Sequence, residues 1–384
     1  MEILFLVLRN ALRHRLRSVL TLLGLVVAVL AFGLLQTVVG AWYAKAEASS
    51  VTRLISRNAI SLVFSLPLSY RDRIRSVEGV RKVAIANWFG AVYKEPKNFF
   101  AQFAVDDAYL DIYPEYLIDE QQRRDFLHDQ RGCVVGRKLA QNYGFNVGDS
   151  LTLKGTIYPG DWTFTIRAIY DGAEQGTDTS QMFFHWKYLN ETMKQKAPRR
   201  ADQTGVYVIE AASADEIATV AQRVDALFRN STAETLTETE KAFQLGFVSM
   251  SAAIVQGVQL VSYLVIFIIM AVMANTMAMT VRERTAEYAT LKALGFSPWH
   301  VAGLIYGESM LIALLGGGAG ILLTFPVARG FAHALGKFFP IFHVAPFTVG
   351  QQFLCAVLVG LLAALLPARS AMRIRIVDGL RAIG

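Results

Sequence analysis

Residue types that do chemistry elsewhere occur in this 384-residue chain at spacings that meet no catalytic pattern. Six histidines, His14, His128, His185, His300, His333 and His343, are scattered along it. There is no H-E-x-x-H to put two imidazoles on one helix face for zinc, no C-x-x-C and no G-x-S-x-G. The nearest approach to a phosphate loop, Gly330 to Lys337, has one residue too many between its glycines, and Phe338 replaces the hydroxyl residue after the lysine. Asp106 and Asp107 are adjacent carboxylates in a turn-like stretch, where solvation or capping is their usual use. No enzymatic chemistry, metal or directly bound cofactor is therefore expected of this chain.

Other residues are arranged for contact. "VRERTAEYATLKALGFSPWH", Val281 to His300, carries Arg282, Glu283, Arg284, Glu287 and Lys292 around an apolar stripe of Tyr288, Leu291 and Leu294. Gly295 suits the left-handed position that ends a helix, Ser297 can cap, and Pro298 suits the first turn of the next one. So short a helix lacks a core of its own, and the stripe leaves two readings: docking into a groove on a cytoplasmic partner, or a solvated polar loop whose Lys and Arg serve orientation. Further on, Glu308 is an ionisable residue just inside an apolar run, a candidate for a structural or gating ion pair near Arg282 or Arg284, or for a proton or substrate role if it is deeply placed. Gly316 and Gly320 are spaced for close helix packing, with a flexible hinge as the alternative use of the run.

The elements that position these residues follow from hydropathy. With 53% hydrophobic and 18% charged residues, the chain offers four apolar runs near the ~20 residues that cross a bilayer, at 18–41, 251–281, 303–327 and 347–367. Arg9, Arg13, Arg15 and Arg17, then Arg282, Arg284 and Lys292, then Arg369, Arg373, Arg375 and Arg381 all fall on one side if the spans alternate. That side is expected to be cytoplasmic, placing 1–17, 282–302 and 368–384 inside, with 42–250 and the short loop 328–346 outside. The basic flanks account for much of the +7 charge, and no basic stripe interleaved with aromatics calls for nucleic acid. Ala46-Glu47-Ala48 resembles a signal-peptide cleavage site, but the preceding apolar run exceeds a signal's usual 7 to 15 residues, so an uncleaved anchor is expected. Cys133 and Cys355 lie in different regions and imply no disulfide framework.

Residues 42–250 read as a mixed α/β domain with stalk helices and a smaller β-rich subdomain inserted at about 131–190, rich in turn glycines. A helix bearing Ile217, Val220, Val224 and Leu227 is expected, with Ser213 and Glu216 as a capping box. The tracts Ala41 to Leu66 and Val258 to Leu294 contain neither glycine nor proline, which predicts helices running on past the bilayer surface. Leu236 to Phe247 has the mixed character of an interfacial helix.

"ANTMAMTVRERTAEYATLKALGFSPWHVAGLIYGESMLIALLGGGAGILL", Ala274 to Leu323, resembles the signature region of the MacB/FtsX-like permease family. "CVVGRKLAQNYGFNVGDSLTLKG" is similar to that family's periplasmic core domain, and "LLPARSAMRIRIVDGLRAIG" resembles its cytoplasmic tail. The resemblance implies an α-helical membrane protein with four transmembrane helices and a bipartite extracytoplasmic α/β domain, in the inner membrane with both termini cytoplasmic. It implies the permease subunit of a type VII ABC system, with Val281 to His300 as the coupling helix. A separate cytoplasmic ABC ATPase would bind ATP and Mg. It further implies a homodimer, or pairing with a related permease, and mechanotransmission, most simply export with a membrane-fusion-type periplasmic adaptor. Lipoprotein extraction and tethered regulation of periplasmic proteins are the alternative uses it implies.

Overall fold

Long apolar runs without charge favour helices that satisfy their own backbone, and the computed structural model has, among its described residues, four long and apolar enough to cross a membrane. They are Arg15–Glu47, Ala252–Glu283, Pro298–Leu335 and Pro346–Met372. The structure describes residues 15–174, 176–335 and 341–376. His14, Arg9, Arg13, Leu380, Arg381 and the Gly336-Lys337 pair lie outside them. These helices form one compact unit, and Tyr43–Met250 form a second.

Within the helical unit, Leu25, Val29, Ile269, Met273, Ile312, Ala313, Val359 and Ala363 make a common core. Small residues set how closely the helices meet. A Cβ on Gly316 would lie 2.9 Å from Leu25, and one on Gly320 would lie 2.9 Å from the carbonyl oxygen of Val26. Both glycines thus admit the first long helix against the third. Polar residues tie the bundle where lipid offers no alternative partner. Gln352 donates to the Val29 carbonyl and to Thr324 Oγ1, each at 2.9 Å, and Gln36 donates to Ser262 Oγ at 2.9 Å.

In the α/β unit, alternating burial along Gly160–Gly172 puts Trp162, Phe164 and Ile166 into one core cluster, and a register shift before Ala168 sends Ala168 and Tyr170 into a second. The main sheet runs in the order Thr235–Thr239, Arg53–Asn58, Val206–Ala211, Val80–Trp88, Ala101–Val105, Gln181–His185, Gly132–Gly136, Gly160–Gly172, Ser150–Gly155 and Ala91–Val92. The segment expected as an inserted subdomain is not a separate sheet. Its strand Gln181–His185 pairs in parallel with Ala101–Val105, which pairs antiparallel with Val80–Trp88, so both lobes share one sheet.

Three local expectations give way. The helix Ile217–Leu227 buries Ile217, Val220 and Val224 but leaves Leu227 exposed, and no side chain caps it, because a turn separates Ser213 from its start. The first glycine-free tract keeps the helix to Glu47, past the span expected to end at 41, but then becomes the strand Arg53–Asn58, held by pairing on both edges. Leu236 to Phe247 likewise divides into the strand Thr235–Thr239 and the helix Glu240–Met250.

Candidate coupling site

The second glycine-free tract is not one helix either. The helix Ala252–Glu283 stops at Arg284, whose backbone sits at φ −106°, ψ 16°, and a shorter helix follows over Thr285–Ala293. Side chains stabilise the break. Thr285 Oγ1 donates to the Arg282 carbonyl at 2.9 Å. Arg284 pairs with Glu287 at 2.9 Å and with Glu308 of the third long helix at 3.3 Å, its guanidinium lying 5.5 Å from the Tyr288 ring centre. Glu308, buried, is thus the ion-pair partner of Arg284. Arg282 is exposed, and Glu283 pairs with Arg17 at 2.6 Å.

The far end closes as the sequence suggests. Gly295 takes φ +94°, its N–H donates to the Lys292 carbonyl at 3.0 Å, and the Phe296 N–H donates to the Leu291 carbonyl at 3.1 Å. This is the Schellman arrangement, in which a left-handed residue satisfies the last carbonyls of a helix. The expected side-chain cap differs: Ser297 Oγ lies 2.7 Å from the His300 side chain at Nδ1 instead of on a helix N–H.

The apolar stripe, however, faces inward. Tyr288 is 2% exposed and packs with Val281, Val301, Ala302, Ile305 and Ala364, with Leu291 at the edge of the same cluster. The chain's own third and fourth long helices cover it, because the turn at Gly295 brings the third helix back against the short one. Lys292 is also turned inward. Its Nζ donates to three carbonyls near the end of the fourth long helix, and burial lowers the pKa of its ammonium. Of the stripe only Leu294 remains outside, 72% exposed, and it is joined by Phe296 at 48% and Trp299 at 77%. Phe296 and Trp299 do not fall on the helical stripe, so periodicity misses them; two large aromatics just past a helix stop are the signal that could have found them.

A second arrangement gathers the two tethers of the α/β unit. Arg53, just after the first tether, donates to Glu240 Oε2 at 2.7 Å and to Glu115 Oε1 at 2.6 Å. Glu240 opens the helix of the second tether and accepts a 2.9 Å hydrogen bond from Tyr113 Oη. Arg53 and Glu240 are buried, and the guanidinium lies 4.2 Å from the Tyr113 ring centre. Lys45, near the end of the first tether, pairs with buried Asp178 at 2.5 Å. The chain just after the first tether and the start of the second thus meet at one buried ionic node, Arg53–Glu240–Glu115, with Lys45–Asp178 a separate pair.

Among the described residues, four helices long and apolar enough to cross a membrane, an α/β domain between the first two and a closed turn between the second and third make the layout of a membrane protein with a large domain outside the bilayer. Residues 18–227 match the family described as MacB-like periplasmic core domain, and residues 260–376 match FtsX-like permease C-terminal. The chain belongs to the MacB/FtsX-like family of ABC transporter permeases. It is 23% identical to an uncharacterised ABC transporter permease of Methanocaldococcus jannaschii, over 99% of this chain and 98% of that protein. It is 34% identical over 106 residues to the macrolide export ATP-binding/permease protein MacB of Shewanella sp. (strain ANA-3), covering 28% of this chain and 16% of that protein. Among solved structures, the extracellular domain of the noncanonic ABC-type transporter YknZ from Gram-positive bacteria aligns at 12% identity over 49% of this chain and 100% of that one, with a TM-score of 0.36.

Proposed function

We propose that this permease couples ATP hydrolysis by a separate cytoplasmic ABC ATPase to movement of its extracytoplasmic domain, and so drives export together with a periplasmic adaptor. The supporting observation is the exposed apolar tip Leu294, Phe296 and Trp299, carried on a turn whose base is fixed from within by Tyr288, Lys292 and the Arg284–Glu308 pair. Exposed aromatic groups on a rigid support are the usual anchors of a protein interface. ATP and Mg would belong to that partner, and the permease would work as a pair, with a second copy or a related chain.

Movement would pass through the tethers. A buried ionic node is weak as a source of stability, since desolvation offsets much of its attraction, but it holds its members in one geometry. The Arg53–Glu240–Glu115 node suits parts that must move together. The adaptor reading draws on the loop before Leu66, where Ile60 is 81% and Val63 87% exposed and Phe64 lies beside them. A contiguous apolar loop on a domain surface marks a contact site.

Affinity purification of the tagged protein from native membranes in mild detergent tests this function. An ABC ATPase should accompany it in equal amount and disappear with the Leu294→Asp/Trp299→Asp variant. Wild-type protein that assembles but brings no ATPase, or a variant that keeps it, would overturn the reading.

A further inference from the structure

Lys292 Nζ donates to the carbonyl oxygens of Ala371 at 3.1 Å, Met372 at 2.9 Å and Ile374 at 2.9 Å. These lie at the end of the fourth long helix and just beyond it. The last carbonyls of a helix have no partner within it, so one ammonium both closes this end and directs the chain that leaves it. Ile374 also packs into the cluster that holds Tyr288 and Leu291. The start of the tail is thereby held beside the short helix Thr285–Ala293.

Two stretches distant in sequence are thus latched together, and each shows side chains outward. One offers Leu294, Phe296 and Trp299; the other offers Arg373, Arg375 and Ile376, all exposed. Neither arginine has an ion-pair partner among the described residues.

We infer that these stretches form one composite docking face, apolar at the Gly295 turn and cationic at the tail, assembled by Lys292. Its occupant is the ATPase of the proposed function, on which the inference rests, engaged through an apolar groove bordered by carboxylates. Charge complementarity selects that groove: uncompensated arginines beside exposed aromatic and aliphatic groups favour a protein surface of opposite sign. Lys292 is then a positioning residue that never touches the partner, although its type and place on a charged helix suggest direct contact.

The test compares variants by the amount of ATPase retained per permease in the same purification at physiological salt. Arg373→Glu/Arg375→Glu should retain at least about tenfold less than wild type, the loss that 1.4 kcal/mol of binding free energy represents. Lys292→Met, which keeps the apolar stem and removes the donors, should show a comparable loss, and Lys292→Arg should restore most of it. Should Lys292→Met fail to give a monodisperse preparation, the arginine pair, at exposed positions, decides alone. Retention within about twofold of wild type in the arginine pair, while Leu294→Asp/Trp299→Asp loses the ATPase, overturns the composite face and leaves the proposed function standing; attraction of those arginines to anionic lipid would give this result. Absence of ATPase from the wild type overturns both.

Discussion

Tyr288 and Trp299 flank the same turn, and their surroundings predict opposite behaviour. Tyr288 is enclosed by the third and fourth long helices, so Tyr288→Ala should cost about 3 kcal/mol, the usual order for emptying a large aromatic site. Trp299→Ala should change stability by no more than about 0.5 kcal/mol, as surface substitutions do, yet weaken ATPase retention. Thermal unfolding in detergent beside co-purification separates the two effects; an unstable Trp299→Ala would mean that its ring is structural. Asp106 supplies a pH signature in the α/β unit. Burial pushes its carboxyl up to about 6 despite Arg71 Nη2 at 2.6 Å. The unfolded value is about 3.9, so the folded state binds the proton more tightly and loses stability as pH rises from about 4 to about 6. Asp106→Asn removes that slope: it should be more stable than wild type near pH 7 by on the order of 1–3 kcal/mol, with the difference vanishing near pH 4. A difference that stays constant with pH would show that Asp106 does not titrate in this way.

The long helices are the elements most legible from sequence, because runs of apolar residues and their basic flanks depend on composition alone. Their ends are less so. Lack of glycine and proline allows a helix to continue but does not require it, and interactions absent from that reasoning decide. Arg53–Asn58 is drawn into a sheet by strands distant in sequence, and the break at Arg284 is held by Glu287, Glu308 and the Thr285 hydroxyl. The segment Val281 to His300 shows the same limit: its charged and apolar residue types predict a docking element, but which face turns inward depends on the returning third helix. Glycine spacing translates more directly into packing. A Cβ at Gly320 would meet backbone 2.9 Å away, whereas one at Gly318 would meet nothing within 4 Å. Gly320→Val should lower stability by roughly 1–3 kcal/mol through overpacking, and Gly318→Ala should be nearly neutral. Equal effects on unfolding in detergent would remove Gly320 from the contact between the first and third helices.

At the scale of the whole molecule, the two tethers are the covalent links between the helical and α/β units, and the Arg53 node gathers both. If the node transmits movement, Arg53→Met combined with Glu240→Met should leave ATPase binding intact but reduce the ATP-driven response of the α/β domain. Replacing both buried charges leaves only Glu115, the part-exposed member of the node, without its partner, so loss of response need not mean loss of the fold. Unchanged movement in a well-folded double variant would assign transmission elsewhere. Coupling is read from the distance between spin labels at Lys241→Cys in the two permeases of a reconstituted complex, with Cys133 and Cys355 replaced, measured by pulsed electron resonance with and without trapped ATP. Coupling predicts a shift in that distance when ATP is trapped, abolished in Leu294→Asp/Trp299→Asp. An unchanged distance in a complex that is hydrolysing ATP would contradict it.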